Sequence, residues 1–159
     1  MSNEPPGLTE SLGRFRDDHP DPRRAGFLMM RYSGTRLHDE ITQAVRACLK
    51  KFGISALRAD DKQYHEDLYP TIATYMHGCG FGIAVFDRLE TEVFNPNISL
   101  EVGYMLGLRK KVCILKDKTL THLHTDLIGK LFRQFDPQNP LQSIPEVLGA
   151  WLRENGLLE

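Results

Sequence analysis

The sequence predicts an α/β domain built on one parallel, doubly wound sheet of five strands in the order 2-1-3-4-5. Three observations carry that expectation. Short apolar runs such as Ala25 to Tyr32 and Phe81 to Asp87 show no alternation, the pattern of strands covered on both faces. Stretches with helical apolar spacing separate those runs. The links between them are short, so consecutive strands must run parallel through right-handed crossovers. With this order the crevice lies at the carboxyl ends of strands one and three.

Each element follows from local signals. After the first strand, Ser33-Gly34-Thr35 makes a turn and a helix runs from Arg36 to Phe52, with Leu37, Ile41, Ala44, Val45, Cys48 and Leu49 as its apolar stripe. Gly53 ends that helix. Ile54 to Arg58 is a shorter second strand leading into Asp60-Asp61. A helix starting near Pro70 packs through Ile72, Tyr75 and Met76 and closes at Gly78-Cys79-Gly80. The third strand, Phe81 to Asp87, is expected at the centre. Val112 to Leu115 is the fourth strand and Leu131 to Phe135 the fifth, with a single helical turn expected around Asp126 to Gly129. Ser143 to Glu154 is a final amphipathic helix with Ile144, Val147, Leu148 and Trp151 facing inward. Arg109-Lys110-Lys111 provides a cationic end for the helix before it.

Residues 1–24 hold four prolines and many charges, and are expected to be a disordered tail or a linker. Residues 25–159 then make a single domain. The chain has 159 residues, 41% of them hydrophobic and 26% charged, with a net charge of −1. That balance supplies no global field for a nucleic-acid backbone, so direct nucleic-acid binding is not expected. No apolar run reaches the roughly 20 residues of a membrane span. Cys48, Cys79 and Cys113 fit no metal spacing and read as core thiols of a protein in the reducing cytoplasm. The polar, acidic N-terminus does not read as a secretory signal.

Several chemical motifs fail on context. Gly78-Cys79-Gly80-Phe81-Gly82 precedes a strand instead of following one, so it is not a dinucleotide loop. His122 and His124 lack a third ligand at a recognisable spacing, so no metal is expected. Neither Ser33 nor Ser99 has the flanking glycines of a nucleophile elbow. The Arg31-Tyr32-Ser33-Gly34-Thr35 loop offers a guanidinium, hydroxyls and backbone N–H groups to a phosphate, although a plain strand–helix turn explains it equally well.

What remains is the helix entered through Phe94-Asn95-Pro96-Asn97. Asn95 or Asn97 can cap it and Pro96 suits its first turn. From Ile98 to Leu108 its residues are apolar, Ser or Gly, with Glu101 the only ionisable group beside the phenol of Tyr104. Ile98, Met105 and Leu108 fall within about 60° of Glu101 on the helical wheel. A carboxylate there costs several kcal/mol unless compensated, and proximity to the helix N-terminus is the compensation on offer. Held against an apolar wall, it suits stabilisation of a developing cation, while a salt-bridged core Glu explains the spacing equally well. Gly103 and Gly107 share one helix face, so a neighbouring element is expected to approach closely there.

The run Asn95-Pro96-Asn97-Ile98-Ser99-Leu100-Glu101-Val102-Gly103-Tyr104 resembles the Asn-Pro-Asn-x-x-x-Glu-x-Gly motif of bacterial TIR-like nucleotide-binding proteins. It is also similar to the Glu-x-Gly-Tyr motif of nucleoside 2-deoxyribosyltransferases. The resemblance spans about Phe27 to Asp136, including Arg58-Ala59-Asp60 and Asp126-Leu127. It implies a flavodoxin-like, TIR-like core in which Glu101 is the catalytic carboxylate acting on an N-ribosyl bond. One departure is the segment Arg88 to Val93, longer than the short link after the matching aspartate in the transferases.

The expectation drawn from this resemblance is a TIR-like NAD glycohydrolase, a bacterial defence effector gated by self-association or by a sensor protein or domain. NAD is its substrate and no cofactor is expected. Glu101 supplies the negative charge or a covalent anchor. Tyr32 and Phe94 stack on a ring, Arg31 and Ser33 hold phosphates, and Asp60, Asp87, Asn95 and Asn97 complete the substrate site. The alternatives are a nucleoside or nucleotide N-glycosidase or 2-deoxyribosyltransferase, with Asp87 or Asp60 as acid for a neutral leaving base, and a non-catalytic nucleotide sensor or adaptor.

Overall fold

Strand formation follows the apolar runs. In the computed structural model, which describes residues 4–31, 33–88, 96–120 and 132–158, β1 (Ala25–Met29), β2 (Ser55–Leu57), β3 (Phe81–Phe86), β4 (Lys111–Asp117) and β5 (Phe132–Phe135) form one sheet. Its order is β2-β1-β3-β4-β5 and every pairing is parallel. The crossovers carry α2 (Arg36–Lys50), α3 (Leu68–Gly78) and α4 (Pro96–Gly107), with α1 (Thr9–Asp18) before the sheet and α5 (Pro140–Glu154) after it. This is the flavodoxin-like doubly wound architecture expected from the sequence. The helical turn expected around residues 126–129 lies outside the described residues.

Alternate residues of each strand enter opposite layers, as a period of two requires. Phe27, Met29, Ala84, Phe86 and Ile114 pack with α1, α3 and α4. Leu28, Ile83, Val85, Cys113 and Leu115 pack with α2 and α5. Gly26 is fixed by this packing, because a Cβ there would sit 2.7 Å from the Phe81 ring. Among the described residues no helix is long and apolar enough to cross a membrane.

Three expectations fail. The first concerns residues 1–24, expected to be a disordered tail. Residues 9–18 form α1, and Leu12 and Phe15 are fully buried against α3. Phe15 fills the space over Gly78, where any Cβ would lie 2.3 Å from its ring. The end of α1 is tied down by Asp18, which accepts from Tyr64 Oη at 2.6 Å and Lys62 Nζ at 2.5 Å. Leu8, Leu12 and Phe15 on one stripe, together with the Asp18 contacts, therefore order a segment rich in charge.

The second is the close approach at Gly103 and Gly107. Both are exposed and a Cβ on either would meet nothing within 4 Å. The third is the cationic end assigned to α4. Lys110 turns instead to α3, donating to the carbonyls of Met76 at 2.8 Å, His77 at 2.5 Å and Cys79 at 2.5 Å. It thereby caps that helix's carboxyl end. Its burial pulls the ammonium down to about 8.

Candidate active site

Glu101 lies in the second turn of α4, beyond the reach of the free N–H groups of the first. The compensation expected from the helix N-terminus is therefore absent. Ile98, Val102 and Met105 bury their side chains around it in the same helix. Among the described residues the carboxylate has neither a hydrogen-bond nor an ion-pair partner. Burial alone pushes its pKa up to about 7 from the ordinary 4.5. Among the described residues, then, nothing forms the salt bridge of a core glutamate with Glu101. An acid that is desolvated and open to a cleft, with no partner among the described residues, is a candidate for chemistry.

The cleft has two lobes that meet at Glu101. One, of about 310 Å³, lies between α3 and α4 and is walled by Tyr69, Ile72, Met76, Leu100 and Tyr104. The second, also of about 310 Å³, opens toward the ends of β1 and β2 and is bounded by Phe27, Met30, Arg31, Ala59 and Asp60. Leu68, Ile72, Asn97 and Glu101 border both. The first lobe is apolar and aromatic; the second adds a guanidinium and a carboxylate. Tyr104 is held in place by His77, whose Nε2 lies 2.7 Å from its hydroxyl. Burial, reinforced by the nearby Lys110 charge, holds the His77 ring below its usual value.

The sequence-derived site residues divide into three groups. Arg31, Asp60 and Asn97 border the cleft with Glu101. Asp60 is exposed and ion-paired to Arg58, Nη2 to Oδ2 at 2.8 Å. Ser33 and Asp87 belong to a neighbouring buried cluster centred on His38, at the carboxyl ends of β1 and β3. The His38 ring, 2% exposed, places Nε2 at 2.9 Å from Asp87 Oδ2, and Nδ1 hydrogen-bonds Ser33 Oγ. Tyr32, Phe94 and Asn95 lie outside the described residues.

Sequence reasoning missed Tyr69 and Tyr104 as cleft-forming residues, and His38 as the centre of the neighbouring cluster. His38 carried a signal, since it continues the inward stripe of Ile41, Thr42 and Val45 on α2 one turn after the Thr35 cap. A polar residue on such a stripe needs a buried partner. That partner, Asp87, lies 49 positions away and no local pattern names it.

No protein-family model matches the sequence, and a search of curated proteins returns no match. Solved structures do resemble it. The Clostridium botulinum CMP N-glycosidase BcmB superposes with a TM-score of 0.58 at 12% identity, covering 80% of this chain and 99% of that one. A 2-desoxiribosyltransferase from Leishmania mexicana superposes with a TM-score of 0.55 at 15% identity, covering 82% of this chain and 97% of that one. At these identities the likeness is one of fold: the chain shares the flavodoxin-like architecture of both proteins along nearly their whole length.

Proposed function

We propose that the protein cleaves the N-glycosidic bond of a nucleoside or nucleotide, with Glu101 facing the anomeric carbon. The observation that carries this reading is the Glu101 carboxylate, without a partner among the described residues, at the junction of an aromatic lobe and a second lobe that holds Arg31 and Asp60. A substrate with a flat base on one side of the scissile bond and a sugar on the other matches that division. The base enters between Tyr69 and Tyr104. The sugar, with any phosphate, lies toward Arg31, Asp60 and Asn97. As the C1′–N bond breaks, its electron pair leaves on the base nitrogen and positive charge develops at C1′. Ionised Glu101 stabilises that charge or bonds to C1′ until water replaces it. The apolar wall strengthens the interaction by keeping the local dielectric low. The activities that name the two fold neighbours, N-glycosidase and deoxyribosyl transfer, support this choice over other chemistry on the same fold.

NAD is the second reading, and one observation favours it. A neutral base leaves poorly without a proton, yet the acid bordering the cleft, Asp60, is ion-paired to Arg58, and Asp87 is engaged by His38. Nicotinamide departs from a ring that is already cationic and needs no acid. Chromatography of released base after separate incubation with CMP, 2′-deoxynucleosides and NAD decides between the substrates. Cytosine or another nucleobase without nicotinamide supports the first reading, and nicotinamide alone the second. Release from none of them at high enzyme concentration removes the glycosidase reading. Because Glu101 acts ionised, the rate is expected to climb as pH rises through about 7.

A further inference from the structure

The Ser33–His38–Asp87 cluster has a geometry that core packing does not require. His38 stands in the first turn of α2, where its backbone N–H donates to Thr35 Oγ1 at 3.3 Å. Ser33 Oγ in turn lies 3.3 Å from that same Thr35 oxygen. The ring bridges the β1–α2 loop, through Ser33, to the end of β3, through Asp87. Side-chain exposure is 2% for His38 and 5% for Asp87, so water does not substitute for these bonds. Proton accounting then couples the three groups. An ionised Asp87 accepts, so Nε2 carries a proton. Nδ1 of a neutral ring must then accept a hydrogen bond from the Ser33 hydroxyl. A charged ring donates from Nδ1 as well and releases the Ser33 O–H for Thr35 or for a ligand. The order of groups matches a hydrolytic triad, but the Ser33 loop lacks the strained elbow that exposes a nucleophile.

The structure assigns His38 as a positioning residue of the cleft, one that sets the orientation of the Ser33 hydroxyl and the Asp87 carboxylate and so holds the β1–α2 loop against the sugar or phosphate of the substrate. This assignment rests on the N-glycosidase reading. Arg31, two residues before Ser33, borders the cleft with Glu101, so the loop pinned by His38 is the one that delivers a cation to the second lobe. His38 itself reaches no substrate atom; it acts through the loop.

The test compares wild type, His38→Leu and His38→Gln with CMP as substrate, alongside proton–nitrogen NMR of the histidine rings. His38→Leu should lower kcat/KM on the order of tenfold to a hundredfold, mainly through KM, because a loosened loop misplaces the substrate. His38→Gln should recover part of that loss, since its amide still donates to Asp87. Without ligand, the His38 resonances of Ser33→Ala and of Asp87→Asn should be shifted from those of wild type. A His38→Leu protein with a lowered melting temperature but kcat and KM within twofold of wild type overturns the assignment and leaves the glycosidase reading standing. If wild type releases no base from CMP, titration with ribose 5-phosphate decides: a shift of the His38 ring signals supports the loop-pinning role, and unmoved signals overturn it.

Discussion

Two carboxylates lie near the carboxyl ends of the central strands, and the fold treats them in opposite ways. Asp87 is buried at the end of β3 with an imidazole N–H 2.9 Å from its oxygen. Glu101, in the crossover helix that follows β3, is largely buried against apolar side chains and has no partner among the described residues. Burial with a partner holds two segments together and its removal damages the fold. Burial without a partner burdens the fold and persists where the charge is needed for chemistry. The pair therefore sets an acid held by a partner beside one that faces the cleft without a partner among the described residues.

The largest expected effect is on the pH dependence of stability. Glu101 has a raised folded-state value of about 7 against an ordinary 4.5, so the native state holds its proton more tightly than the unfolded chain does. Stability from this group is fully present below about pH 4.5. It is lost as pH rises from there through 7, by on the order of 3 kcal/mol. Glu101→Gln should flatten that window of the profile, as followed by urea titrations between pH 4.5 and 8. An identical slope in both proteins would mean that Glu101 is solvated and the contrast with Asp87 is empty.

Asp87→Ala should act in the opposite sense, destabilising by about 1–3 kcal/mol because the buried His38 N–H loses its acceptor. An unchanged denaturation midpoint would show that the His38 contact contributes nothing. The smallest effect sharpens the picture of the Glu101 helix. Gly103 is exposed with open space where a Cβ would go. Gly103→Ala should therefore stabilise by about 0.5–1 kcal/mol through helix propensity alone. A loss of stability there would mean that the outer face of α4 is covered in solution.

Much of this was legible in the chain. The unalternating apolar runs fixed the strands and their parallel order, because only strands covered on both faces tolerate them. Glu101 stood out because it interrupts an apolar helix. The first helix was not legible: Leu8, Leu12 and Phe15 are few among many charges, and the notch at Gly78 that receives Phe15 lies 63 residues away. The glycines of α4 were misread because spacing shows which residues share a face and not whether anything covers it. The His38–Asp87 contact was invisible for a related reason, since it arises only when two distant strand ends are brought side by side by the sheet order.

The central claim is that Glu101 has no partner among the described residues because it serves chemistry. Its most direct test measures base release and thermal midpoint on Glu101→Gln and wild type at pH 7.5, using whichever of CMP, deoxynucleosides or NAD the wild type cleaves. The account expects turnover to fall on the order of a hundredfold or more while the midpoint holds or rises, because the substitution keeps the shape and removes the charge. Turnover that persists in a variant with a lowered midpoint would make Glu101 a structural acid and contradict the claim.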